Sequence, residues 1–341
     1  MTVIRRLERI PDPDWDAFVT AHPDGTLCHL SNWAVVAATV YGWTPYYLVA
    51  DADAVITGVL PLVHVRHGCG RGALVSAPFC VYGGALARDN ATANALDEAA
   101  AELARELNVT VLEMRQRERA NPAWSGTDLY ATFRKQLDPD PARNLAAVPR
   151  KQRAMIRKGE KAGLSVRRGH DVTTFYRLFC TGMRNLGTPV YPRRLFTTLA
   201  ECFGDRLEIL LVEHEGQVVT AVLSLYFRDE VLPYYAGGLP AARQLAAFDY
   251  MYWCLMEQAC TDGLRIFDFG RSMRDTGAWA FKKNWGFEPQ PLHYQFYMTG
   301  SGAPAVLDPK RPLYRYLAAT WRRLPLPIAN LAGPIVSRVL Y

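Results

Sequence analysis

One order of elements occurs twice in this chain of 341 residues, and that repeat restricts the fold more than any single motif does. In the first half, YYLVADADAVITGVLPLVHVR reads as two strands about an Asp-rich turn, and GALVSAPFCVYGGALA as a strand ending in Tyr82-Gly83-Gly84. An Ala-rich helix from about Asn90 to Leu107 and a buried strand, VTVLEMR, follow. In the second half, LEILLVEHEGQVVTAVLSLYF is a hairpin about Glu215-Gly216, and EVLPYYAGGLP is a strand ending in Gly-Gly. A helix then covers roughly Gln244 to Thr261, and RIFDFG is a strand. Tyr82-Gly83-Gly84 falls opposite Ala236-Gly237-Gly238, and Val111 to Arg115 opposite Ile266 to Gly270. The expected class is α/β (α+β), with tandem duplicated domains whose mostly antiparallel sheets are flanked by helices. The expected boundaries are 1–140 for the first domain, 141–310 for a second that opens on a basic helix, and 311–341 for an apolar tail.

The N-terminus MTVIRRLERIPDPDW is charged where a signal peptide needs an apolar run, and no window has the length of a membrane span. The chain is therefore expected in the cytoplasm, alone or in peripheral contact with the inner membrane face. Seven cysteines without a CxxC pair or zinc spacing are expected to be reduced thiols, mostly in the core, and no metal site is expected. The glycine-rich HGCGRGAL, residues 67–74, reads as a turn, because a strand follows it instead of the helix start a phosphate loop needs. The tail LPLPIANLAGPIVSRVL is apolar and interrupted by prolines, which suits packing on the body or touching a membrane surface.

The net charge of +6 favours an anionic partner only if cations cluster. They do so in the helix expected over 149–162, with Pro149 at its start and Gly163 at its end. At 100° per residue, Arg150, Arg153, Arg157 and Lys161 share one face, while Val148, Met155 and Ile156 share the other. Such a face is either simply solvated or a grip for phosphates, on a precursor or on RNA. It has no interleaved aromatics of the kind that stack bases.

FDFGRS places Asp268 inside an apolar strand, where a carboxylate must be paired or hydrogen-bonded. It either fixes a loop by pairing with Arg271 or Arg274, or faces a cleft and orients an attacking amine or takes its proton. Arg271, Ser272 and Lys282 would then surround an acyl donor or an acceptor phosphate. Glu113 and Arg115 occupy the matching strand end of the first half, where a structural pair is the simpler reading. The seven histidines form no Ser/His/Asp or Cys/His group, so no covalent acyl-enzyme is indicated.

VPRKQRAMIRKGEKAGLSV, MRNLGTPVYP and above all FDFGRSMRDTGAWAFKKNWGFEPQPLHY resemble the FemAB-related proteins of PEP-CTERM/exosortase exopolysaccharide loci. GVLPLVHV, LVSAPFCVYGG and VLEMRQ fit the same family, so the resemblance runs over nearly the whole chain. It implies twin GNAT-like (acyl-CoA N-acyltransferase) domains and an acyltransferase or aminoacyltransferase. The implied reaction passes an acyl or aminoacyl group to an amine or hydroxyl of an anionic, phosphate-bearing envelope or exopolysaccharide precursor. A binding module for an anionic glycolipid, or a CoA-dependent amino-sugar N-acetyltransferase, stays open beside it. In that family the lysine of the Phe-Lys / Trp-Gly motif contacts acceptor phosphate, which corresponds to Lys282. Asp268 and Lys282 are the expected catalytic pair; Arg153 and Arg157, which the resemblance sets near the same cleft, are expected to bind substrate together with Arg271, Ser272, Tyr82, Tyr235 and Trp285. No bound cofactor is implied; the donor is aminoacyl-tRNA, which would make tRNA a partner, or acyl-CoA. The usual GNAT phosphate loop, (Q/R)xxGx(G/A), is replaced by Arg243-Gln244-Leu245-Ala246-Ala247, without glycine.

Overall fold

The computed structural model describes residues 2–66, 70–118, 121–300 and 312–339. Part of the HGCGRGAL turn therefore lies outside the described residues. The chain divides into two compact units: the first 131 residues with the strand His293–Met298, and residues 132–290 with two C-terminal helices.

The division falls after Ala131 and after Gln290, so that the last strand of each sequence half lies in the other half's sheet. Tyr130–Gln136 lies beside Ile266–Met273 in the second sheet. His293–Met298 runs antiparallel to Val111–Gln116 in the first.

In the first unit, Leu48–Ala52 and Val55–Leu60 form the expected hairpin, turning through Asp53 and Ala54, both at positive φ. That is the backbone a two-residue hairpin turn demands. Ala73–Ser76 runs parallel to Val111–Gln116, and the helix Asn90–Glu106, capped by the Asp89 carboxylate, connects them. Leu48, Leu60, Leu74, Leu96, Leu103 and Leu112 close the core between that helix and the sheet. The strand expected to reach Tyr82-Gly83-Gly84 stops at Ser76, since Ala77 and Phe79 take positive φ and bend the chain away.

The second unit has a seven-stranded sheet in the order Ser165–Gly169, Leu207–His214, Gln217–Phe227, Glu230–Gly238, Ile266–Met273, Tyr130–Gln136, Gln290–Pro291. Its hairpin turns at Glu215 and Gly216 as expected. The helix Ala247–Thr261 covers one face through Met251, Leu255 and Met256, and Val172–Leu186 packs on the other. The first of these helices starts three residues later than expected, because Ala246 at φ 54 interrupts the turn after Ala241–Gln244.

The basic helix spans Arg150–Lys161 and buries Gln152, Ile156 and Gly159, the spacing of one helical face. A Cβ on Gly159 would sit 2.6 Å from Tyr250 Cβ, so only glycine allows this approach to the Ala247–Thr261 helix. The C-terminal prolines do not break the tail. Pro325 and Pro327 stand at the start of the helix Leu326–Val339, where a missing N–H costs nothing, and Pro334 is accommodated inside it. Pro312–Arg323 forms a helix before it.

Candidate functional site

The strands Glu230–Gly238 and Ile266–Met273 pair in parallel only at Glu230↔Ile266 and Val231↔Phe267. Beyond that point the second strand turns on Gly270, whose φ of 67 is a left-handed conformation inside an otherwise extended run. A kink of this kind strands backbone groups that a neighbouring strand would have paired, and side chains must satisfy them.

Asp268 and Lys282 do so from opposite sides. Asp268 Oδ1 accepts the Gly270 N–H at 2.7 Å and the Thr132 hydroxyl at 3.1 Å. Lys282 Nζ, reaching in from the helix Gly277–Asn284, donates to the carbonyls of Gly270 at 2.9 Å and Arg271 at 3.0 Å. That helix is set by Thr276, whose hydroxyl caps the N–H of Trp279. Both charged groups are buried, Asp268 completely. Burial pushes the Lys282 ammonium down to about 7, with Asp268 partly opposing the shift.

Glu230 extends the cluster. Arg134 grips its carboxylate with two hydrogen bonds, 2.6 Å from Nη2 to Oε2 and 3.3 Å from Nε to Oε1. Burial and the adjacent Asp268 carboxylate raise Glu230 to about 7, despite Arg134.

The expectation that Asp268 faces a cleft gives way here to a different placement: its carboxyl is enclosed and engaged with the backbone of its own strand. Lys282 likewise turns inward. What the kink presents outward is Arg271, which is exposed, followed by Ser272, buried with no hydrogen-bond partner for its hydroxyl among the described residues. Asp268, Lys282, Arg271 and Ser272 thus come together as one structure, joined by Thr132, Arg134 and Glu230, which sequence reasoning missed. The glycine inside FDFGRS was the available signal, since an isolated strand glycine marks a bulge.

The other expected residues lie apart from this cluster or inside the core. Trp285 is fully buried and its indole N–H donates to Asp249 Oδ1 at 3.1 Å. Gln152 of the basic helix donates to the same oxygen at 2.7 Å, so Asp249 ties that helix to the first turn of Ala247–Thr261. Tyr235 is half-buried against the rings of Phe179 and Phe196. Arg153 donates to the carbonyl of Ala146, while Arg157 is exposed. In the first unit Tyr82 is buried beneath Arg117 and lines a cavity of about 430 Å³ with His29, Arg115 and Gln116. Burial lowers His29 to about 3, so the imidazole is neutral. Arg115 pairs with Glu113 at 2.8 Å and donates to the carbonyl of Cys80, the structural arrangement expected there. No group of side chains among the described residues is arranged to hold a metal ion.

Residues 148–283 match the family model described as an acetyltransferase (GNAT) domain. That match lies within the second unit, from the start of the basic helix to Lys283. Among solved structures it is similar to FemX, with a TM-score of 0.69 at 16% identity over 92% of this chain and 100% of that one. A tandem GNAT protein from the clavulanic acid biosynthesis pathway superposes with a TM-score of 0.53 at 15% identity, over 89% of this chain and 100% of the other. The C-terminal domain of a putative lysylphosphatidylglycerol synthetase from Agrobacterium fabrum gives 0.56 at 10% identity, over 84% and 91%. At these identities the likeness is one of fold, and it agrees with the tandem GNAT-like architecture. No curated protein sequence matches the chain. The matched residues contain the whole kink, from Asp268 to Lys282, and the basic helix.

Proposed function

We propose that the chain is a FemAB-like acyltransferase that passes an aminoacyl or acyl group to an amine or hydroxyl of a phosphate-bearing envelope or exopolysaccharide precursor, working at the inner face of the membrane. The observation that carries this reading is the kinked end of Ile266–Met273 within the GNAT domain: Asp268 and Lys282 fix the backbone, and Arg271 is presented outward. Arg271 is the cation that meets the negative charge of a substrate, by bidentate hydrogen bonds to a phosphate or carboxylate. Asp268 and Lys282 are positioning residues that fix the backbone carrying Arg271. The reaction is direct attack of the acceptor on the donor carbonyl, in which alignment of the two reactants supplies much of the rate.

The first turn of Ala247–Thr261 bears on the donor. A pyrophosphate bound at a helix start needs free N–H groups and no competing anion. Here the buried Asp249 occupies that turn and the basic helix packs over it through Gly159. This supports an aminoacyl ester on tRNA over acyl-CoA held in the usual way. Incubation of the purified chain with radiolabelled aminoacyl-tRNA or acyl-CoA, together with a lipid and sugar-nucleotide extract of the host, tests the reading. Label on a lipid or sugar from either donor supports it. Saturable binding of an extract component without transfer favours the glycolipid-binding alternative.

A further inference from the structure

The two C-terminal helices are laid against the second unit in an unusual way: small residues face inward and large apolar ones face out. In Leu326–Val339, Ala329, Gly333 and Ser337 recur every fourth residue along the packed face. A Cβ on Gly333 would come within 2.9 Å of the Val190 backbone nitrogen, so the helix touches the body with its backbone. Ile328, Leu331 and Ile335, spaced as one stripe, are 52%, 79% and 70% exposed. Pro312–Arg323 repeats the arrangement, with Ala318 packed against Gly187 and Tyr316 and Leu317 exposed at 70% and 56%. Five large apolar side chains on two adjoining helices exceed the scattered exposure of an ordinary surface.

The charge of the same helices identifies what covers them. Arg315, Arg322, Arg323 and Arg338 are all exposed. After Asp308 the sequence has six basic residues and no acidic one, which equals the entire net charge of +6. We infer that this face docks the protein on an anionic lipid surface, with the isoleucine and leucine stripe entering the headgroup boundary and the arginines meeting lipid phosphates. The pattern is that of interfacial helices, which lie in the plane of the membrane. Neither helix has the length and hydropathy to cross it. A second copy of the chain is a poorer occupant, because a two-fold interface sets a patch against itself and would oppose arginine to arginine. The docking rests on these helices and not on the transferase reading.

Flotation of the full chain with vesicles tests it. Binding is expected to vesicles of phosphatidylcholine mixed with phosphatidylglycerol, and to weaken as salt is raised. Arg322→Gln with Arg323→Gln should weaken it about fivefold for each arginine removed. Leu331→Glu with Ile335→Glu should abolish it, while the melting temperature and the transfer of label to a water-soluble acceptor stay as in the wild type. The inference is overturned if the folded wild type does not bind the mixed vesicles, or binds pure phosphatidylcholine equally well. It is also overturned if the chain is a dimer that Leu331→Glu dissociates and that ignores vesicles.

Discussion

Asp268 and Lys282 hold the two polar groups of a single residue: the carboxylate accepts the N–H of Gly270 at 2.7 Å and the ammonium donates to its carbonyl at 2.9 Å. Fourteen positions apart in sequence, they act as one clamp on a left-handed glycine. The clamp explains why the core tolerates a buried strand carboxylate and a buried helix lysine side by side. Each hydrogen-bonds the backbone of Gly270, and each lessens the cost of burying the other.

Gly270→Ala is the simplest test of the kink. A Cβ at φ 67 should cost about 1–2 kcal/mol, read as a lower melting temperature. Transfer should fall by more than the loss of folded protein accounts for, since Arg271 is displaced with the backbone.

The clamp should also be non-additive. Lys282→Met leaves the buried Gly270 carbonyl and the part-buried Arg271 carbonyl without their donor and should cost about 1–3 kcal/mol. Asp268→Ala leaves a buried ammonium without its counter-charge and should cost about 3–5 kcal/mol. The double variant should be more stable than the sum of the two predicts, because it removes the stranded charge. Urea melts of the four proteins give the coupling.

Stability should depend on pH through Glu230 and Lys282 with opposite signs. Burial first, and Asp268 second, raise Glu230 from 4.5 to about 7, so the folded state holds a proton that the unfolded state has lost between those values. Its contribution is full below pH 4.5 and is lost as pH rises through 7. Burial lowers Lys282 from 10.5 to about 7, so its contribution is full above pH 10.5 and is lost as pH falls through 7. Subtracting the melting curve of Glu230→Gln from that of the wild type should give a difference that falls between pH 4.5 and 7. The same subtraction with Lys282→Met should give one that rises between pH 7 and 10.5.

Asp249 should behave as a structural knot. Asp249→Ala removes the shared acceptor of Gln152 and Trp285 and should cost about 1–3 kcal/mol. Proteolysis should then begin at the basic helix, whose only described side-chain hydrogen bond into the core comes from Gln152.

Much of the fold was legible in the sequence because periodicity and turn chemistry are local. Glu215-Gly216 and Asp53-Ala54 stand at turns whose positive φ the neighbouring strands require, and the basic helix lies within a residue of where its arginine stripe placed it. That Tyr130–Gln136 joins the second sheet and His293–Met298 the first was not legible, since strand partners are chosen by long-range pairing that no window contains. The site was legible in membership and not in roles. FDFGRS and FKK announced Asp268, Arg271 and Lys282, but whether a charged side chain faces solvent or its own backbone depends on the φ of one glycine. Glu230 was invisible for a related reason: it meets Asp268 only because two strands pair over two residues before parting.

The most direct test of the account is label transfer by Arg271→Ala beside the wild type, with melting temperatures recorded for both. The account predicts that the wild type transfers label from aminoacyl-tRNA or acyl-CoA to the precursor. The variant should lose at least about tenfold of that rate, as expected for one charge-assisted contact of roughly 1.5 kcal/mol or more, at an unchanged melting temperature. Transfer that survives intact in the variant would contradict it.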